Sequence, residues 1–377
     1  MIELTTPCKE GCEIKYIKKA LKSNDLSGSG IFNNKCQDWF ESYLGVSKAL
    51  TISSCSNALD MSALILDIKN GDEVIMSSFN FVSAANSFAV RGAKIIFIDI
   101  NPKTMNMNEK LLEKAISKKT KAIVVMHYAG LSCEMDLICE IAKKNSIPII
   151  EDCAHSIGSK YKNKFLGTFG EISTFSFHST KNLTSGGEGG LLCLNSKKYI
   201  KLAEIIREKG TNRSQFMRGE IDKYSWVNLG SSYLMNELSA SYLYGQIQKI
   251  EKIQEKRHKL YDQYKQELAV LVEKDVISIQ NLTEKENHSA HIFYLILETP
   301  QILNRLRNFL KKSGIEASTH YVPLHSSIAG LKYGNFFGKD NYTSVLSQRL
   351  LRLPLHYSLN IEDVRYVCNK IKEFFIS

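Results

Sequence analysis

The sequence predicts an α/β protein: a large, mostly parallel-sheet domain followed by a smaller α+β domain at the C-terminus. Three observations carry this. Between about Lys48 and Asn195, short β-branched runs alternate with longer helical patterns. Those runs are apolar throughout instead of alternating, as in strands covered by helices on both faces. Past Ser239 the alternation gives way to a long, charge-rich helical pattern and then isolated strand and helix signals, the mark of a second unit.

Ala49–Ile52, Glu73–Met76, Lys94–Ile98, Ala122–Met126 and Pro148–Ile150 read as strands. Ala58–Ile68, Val82–Arg91 and Met135–Lys144 read as the helices between them. A βαβ series of this kind winds into a parallel sheet with ligands at the carboxyl ends of its strands. Farther on, Tyr242–Leu268 reads as one long helix, Ile292–Leu297 as a strand, and Pro300–Ser313 and Ile361–Phe375 as helices. The expected domains are therefore 1–245 and 246–377, and 377 residues suffice for two cores.

Composition, at 44% hydrophobic and 23% charged, is that of a folded globular chain and excludes disordered or collagen-like classes. The net charge of +10 admits a lysine-rich host composition, attraction of an anionic substrate or cofactor, or nucleic acid. Nucleic acid ranks last, because lysines such as Lys110, Lys118, Lys119 and Lys121 are not gathered on a recognisable binding element. The nine cysteines include no C-x-x-C pair, so reduced thiols and no metal site are expected. Glu3, Lys9, Glu10 and Glu13 break any N-terminal apolar run. No stretch approaches the roughly 18 apolar residues of a membrane span, and a cytoplasmic location is expected.

The strand ends carry the chemistry. After Ala49–Ile52 comes Ser53-Ser54-Cys55-Ser56-Asn57, opening into a helix. Such a turn offers backbone N–H groups, hydroxyls and a positive dipole end to a phosphate, and it equally serves as a plain N-cap. After the Pro148–Ile150 run comes Glu151-Asp152. An acid at the tip of a buried strand is costly unless a cation meets it, such as a protonated pyridine nitrogen; a helix cap or internal ion pair would also serve. Third, Lys181 follows the aromatic-rich Ser173–Phe177 run and precedes Gly186-Gly187-Glu188-Gly189-Gly190. An amine there can be desolvated and made nucleophilic. Amine, carboxylate and anion site are together what pyridoxal 5′-phosphate (PLP) requires.

Across nearly its whole length the chain resembles the DegT/DnrJ/StrS family of sugar aminotransferases, a branch of fold-type I PLP enzymes. The resemblance rests on GDEVIMSSFNFVSAANSFAVRGAKIIFIDI, VMHYAG, IIEDCAHSIG, FSFHSTKNLTSGGEGG and HYVPLH. It implies a Schiff base at Lys181, with Asp152 on the pyridine nitrogen and both residues catalytic. It places Ser176, Ser56 and the Asn57 amide on the phosphate, Phe81 stacked on the ring, and His155 near the 3′ oxygen. His320 and Tyr321, from the last motif, would contact substrate. Many members carry G-Y-N-Y-R-M, whose Asn reaches the phosphate across a homodimer. Here Gly230-Ser231-Ser232-Tyr233-Leu234-Met235 puts Ser232 in that place and Leu234 where the Arg stands.

That departure, with REKGTNRSQFMRGEIDKYSW, resembles the subgroup forming dTDP-4-amino-4,6-dideoxygalactose. The resemblance implies dTDP-4-dehydro-6-deoxy-D-glucose as substrate and L-glutamate as amino donor, in lipopolysaccharide or enterobacterial common antigen biosynthesis. Lys209, Arg213 and Arg218 suit a diphosphate, and Tyr224 and Trp226 could stack on a base or sugar; a solvated basic loop is the plainer reading. Three alternatives stay open. One is the same transamination on a 3-keto or UDP-linked sugar, another a non-catalytic PLP-binding regulator. The third, a PLP-dependent sugar dehydratase, carries His where this chain has Lys181.

Overall fold

Eight strands form the principal sheet of the computed structural model, which describes residues 1–281 and 286–376. Their spatial order is Lys48–Ile52, Gly190–Leu194, Ile172–Ser176, Ile149–Asp152, Thr120–Met126, Glu73–Ser77, Lys94–Ile98 and Gly334–Phe336. Gly190–Leu194 runs antiparallel to both neighbours; the remaining pairs are parallel. Both faces are covered, as the unbroken apolar runs require. Ile75, Ile123, Val125 and Ile149 pack on one side with Phe40, Ile138 and Leu243. Val74, Met76, Ala122, Val124 and Ile150 pack on the other with Leu59, Phe88 and Ile206.

A second sheet of four antiparallel strands is ordered Ser278–Ile279, Phe293–Ile296, Leu350–Leu353, Ser318–Thr319. Its core gathers Leu260, Tyr264 and Leu268 with Leu306 and Leu310 and with Val367 and Ile371. The expected single helix over 242–268 is two, Glu237–Ile247 and Ile250–Glu273. Lys249 leaves the helical region between them (φ −125°, ψ 13°). Ile250 and Ile253 still pack in the large core while Leu260 onward belongs to the small one. The second helix is thus the bridge, and residue 245 lies in the last turn of the first.

Other boundaries shifted for local reasons. The helix expected from Ala58 starts at Cys55, because the Ser54 hydroxyl accepts from the Asn57 amide and caps it. The expected strand at 148–150 runs over Ile149–Asp152, which makes Asp152 its last paired residue. Among the described residues, no helix is long and apolar enough to cross a membrane.

Candidate active site

At the carboxyl ends of the parallel strands a cavity of about 550 Å³ opens, walled by residues of both parts of the chain. It brings together eight of the residues expected from sequence: Ser56, Phe81, Asp152, His155, Ser176, Lys181, His320 and Tyr321.

The Ser53–Asn57 turn is shaped by its neighbours. A Cβ on Gly190, opposite Ile52, would lie 2.4 Å from the Ser54 carbonyl carbon and 2.5 Å from the Cys55 nitrogen. Only glycine lets the antiparallel strand approach this closely. Ser56 Oγ stays on the cavity wall, 2.7 Å from Ser83 Oγ. The Asn57 amide is spent on the Ser54 hydroxyl at 3.1 Å, and its side chain donates to Ser53 Oγ at 2.7 Å. Asn57 therefore supports the turn from behind and does not line the cavity.

The two acids at the tip of Ile149–Asp152 point to opposite faces, as successive strand residues must. Glu151 is fully committed: it accepts from the Gly167, Phe169 and Gly170 amides at 2.7–2.8 Å, and His127 Nε2 lies 3.1 Å away. With Cys153, these side chains form a metal-like cluster, but the backbone amides already occupy the carboxylate. Asp152 faces the cavity. It is 3% exposed and accepts one hydrogen bond, from the Ala154 amide at 3.1 Å. Burial pushes its carboxyl up, partly offset by that amide and by the Lys181 charge. A buried acid with so little compensation calls for a cationic partner, and a protonated ring nitrogen fits.

Lys181 sits on a loop that the flanking strands continue to tie. The Phe177 amide donates to Gly189 O and that of Ser179 to Gly187 O, each at 2.8 Å. The Lys181 amide donates to His178 O at 2.9 Å. Phe175 and Phe177 anchor this run in the core while Ser176 between them faces the cavity. The next residue, Asn182, donates to Ser289 O at 2.7 Å and meets His291 Nδ1 at 2.7 Å. Burial lowers the Lys181 amine to about 8. Among the described residues it has no ion-pair partner, and its lone pair becomes available as pH approaches about 8, well below the range of an exposed lysine.

His155 Nδ1 accepts from the Ala129 amide at 3.3 Å, which places the ring proton on Nε2, 3.5 Å from Tyr321 Oη. Burial, reinforced by Lys181, holds the ring well below its ordinary pKa and so neutral. It presents a neutral N–H donor to the cavity. Phe81, 51% exposed, stands on the wall at the start of the helix Val82–Ala89. An exposed phenylalanine facing a cavity suits stacking on a flat ligand.

The remaining expected residues lie elsewhere. Lys209, Arg213, Arg218, Tyr224, Trp226 and Ser232 do not line this chain's cavity. Arg213 pairs with Glu208 at 3.2 Å, and Arg218 with Glu204 and Glu220 at 3.0 and 2.6 Å. Conversely, the sequence reading missed Arg352 and His291, which do line it. The run Leu350-Leu351-Arg352-Leu353 held the signal: a lone cation inside an apolar strand.

Comparison with known proteins decides the family. The chain matches the model of the DegT/DnrJ/EryC1/StrS aminotransferase family over residues 7–372. The protein belongs to this family. It is 30% identical to GDP-perosamine synthase of Escherichia coli O157:H7 over 375 residues, 99% of this chain and 98% of that one. It is also 30% identical to the UDP-4-amino-4,6-dideoxy-N-acetyl-beta-L-altrosamine transaminase of Campylobacter jejuni, covering 94% and 92%. Spr1654 from Streptococcus pneumoniae, solved in a PMP form, superposes with a TM-score of 0.90 at 25% identity over 99% of each chain. Its PLP form superposes at 0.88, covering 98% of this chain and 97% of that one. The family is PLP-dependent, and the chain is a sugar aminotransferase. When bound, PLP supplies an electron sink for the carbon whose proton is lost. In this chain Lys181 would hold the cofactor, Asp152 would keep its ring nitrogen protonated, and the Lys181 amine would carry the proton.

Proposed function

We propose that the chain transfers the amino group of L-glutamate to C4 of dTDP-4-dehydro-6-deoxy-D-glucose, giving dTDP-4-amino-4,6-dideoxy-D-galactose and 2-oxoglutarate. The reaction serves surface-glycan biosynthesis in the cytoplasm. The observation that carries it is the convergence of Lys181, Asp152 and the Ser54–Ser56 turn on one cavity. The name of the Campylobacter relative, a 4-amino-4,6-dideoxy sugar transaminase, supports amination at C4. A second reading, the same transfer on a GDP- or UDP-linked ketosugar, is favoured by the nucleotides in the two relatives' names.

The segment around Arg213–Trp226 supports a homodimer. Phe216, Met217, Tyr224, Trp226, Val227 and Leu229 are all exposed, Trp226 to 74%. An apolar surface of this kind marks an interaction site, and here it would serve the partner's cavity. Lys209, Arg213 and Arg218 then meet the diphosphate, and Ser232 the cofactor phosphate, across the interface. Light scattering should return twice the monomer mass; a monomer that turns over at full rate refutes the shared site.

The substrate test is direct. The purified enzyme, PLP and L-glutamate are incubated with dTDP-, UDP- and GDP-linked 4-keto and 3-keto sugars, and the product is identified by NMR. The dTDP-4-keto sugar should react fastest, yielding an axial C4 amine. Exclusive turnover of a GDP- or UDP-sugar overturns the nucleotide assignment, and a C3 amine overturns the regiochemistry.

A further inference from the structure

Arg352 is a cation with unfinished business in the cavity. It lies in the strand Leu350–Leu353, across from Tyr294 on one side and Ser318 on the other. Its guanidinium donates through Nη1 to His320 Nε2 at 2.6 Å. Among the described residues it has no carboxylate partner, and its Nε is buried without an acceptor.

Its surroundings are built to aim it. Because a guanidinium only donates, His320 must accept at Nε2 and carry its proton on Nδ1. That proton points to Tyr128 Oη, 3.2 Å away. The imidazole also stacks on Tyr321, with centroids 4.0 Å apart and planes 17° apart. His155, His291 and His320 are all held neutral by burial and by neighbouring positive charge. Lys181, lowered to about 8, gives up its proton to act as a nucleophile, so the permanent cation on the cavity wall is Arg352.

A donor amino acid would bring its amino nitrogen to the carbon that Lys181 vacates, which carries the α-carboxylate into the same volume, two bonds from that nitrogen. The sugar's diphosphate, on C1, is separated from a C4 ketone by the width of the hexose ring. We propose that Arg352 binds the α-carboxylate of the amino donor, with His320 and Tyr128 as positioning residues that hold the guanidinium. The fork geometry suits a carboxylate. The proposal rests on the aminotransferase reading but not on the identity of the sugar.

The test separates the two half-reactions in Arg352→Gln and Arg352→Lys holoenzymes. Half-saturation for L-glutamate in single-turnover absorbance experiments should rise by about 10–100-fold in Arg352→Gln, the effect of losing a charged hydrogen bond. Arg352→Lys, which keeps the charge without the fork, should fall between. Half-saturation for the ketosugar, measured on enzyme preloaded with pyridoxamine phosphate, should be unchanged. Calorimetric binding of maleate, an unreactive dicarboxylate, should weaken in parallel with L-glutamate. Unaltered L-glutamate and maleate affinities overturn the proposal. So does a selective loss of ketosugar affinity, which would assign the cation to the diphosphate. So does an equal decline of both half-reactions and of cofactor retention, which would make Arg352 structural. If Arg352→Gln does not fold, Arg352→Lys carries the same comparison. A wild-type enzyme that reacts with L-glutamate but aminates no ketosugar would refute the sugar reading and leave this one standing.

Discussion

Replacing Lys181 with alanine should abolish turnover and covalent retention of PLP while leaving the fold in place. Losing the proton carrier alone costs on the order of 10²–10⁴-fold, and losing the attachment point adds to it. The fold should survive because, among the described residues, the ammonium has no ion pair whose loss would orphan a partner; the amine merely lines an existing cavity. Borohydride reduction of loaded wild-type enzyme, followed by peptide mapping, should find the label on Lys181 and nowhere else. A label on another lysine removes the assignment. The pH dependence has a definite sign. With the amine lowered to about 8 from 10.5, the unfolded chain binds that proton more tightly than the folded apoprotein. Stability from this group therefore rises with pH between those values. Loading of apoprotein with PLP should likewise accelerate as pH approaches about 8 and level off above it. A midpoint near that of an exposed lysine would mean that the amine is not desolvated.

Asp152→Asn should lower turnover by about 10²–10³-fold, the scale seen when a preorganised electrostatic partner is removed, while PLP still binds through its phosphate. Asparagine keeps the size and the acceptor for the Ala154 amide but cannot hold a pyridine nitrogen protonated. The apoprotein should respond in the opposite direction. Because burial raises the Asp152 carboxyl, the stability this group contributes is complete below its unfolded value. It is lost as pH rises through the folded one. At neutral pH the Asp152→Asn apoprotein should therefore melt higher than wild type. Near-normal turnover in that variant would sink the ring-nitrogen role. A lower melting point would instead place the carboxylate in the framework, beside Glu151.

How much could be read in advance depended on the distance over which each feature is determined. The parallel strands were legible because each is a local apolar run, Asp152 because it stands at the tip of such a run, and Lys181 because it lies between an aromatic-rich run and a glycine-rich loop; Ser176, inside that run, was marked only by the family resemblance. The break at Gln248–Lys249 was not. Neither residue is a helix breaker, and the charge-rich pattern continues through it; the chain turns there because Ile247 and Ile250 remain in the first core while Leu260 onward builds the second. Arg352 and His291 reach Lys181 only once the four-stranded sheet has packed, across more than a hundred residues of sequence. The helix start at Cys55 was misplaced by three residues for a smaller reason: apolar periodicity locates a helix body, whereas its first turn is fixed by the Ser54 cap.

The three-residue strand Gly334–Phe336 carries a consequence for dissecting the molecule. It pairs in parallel with Ile95–Phe97, and a side chain at Gly334 would collide with the Phe97 ring at 2.4 Å. The polypeptide thus comes back, after most of its second half has been built, to seal the margin of its first. A fragment ending near residue 245 would leave Lys94–Ile98 with a bare ladder of amides and carbonyls, an invitation to edge-on association. The amino-terminal portion, expressed, swapped or grafted by itself, would carry that unpaired edge with it. In the whole chain that edge is covered by a strand from its second half.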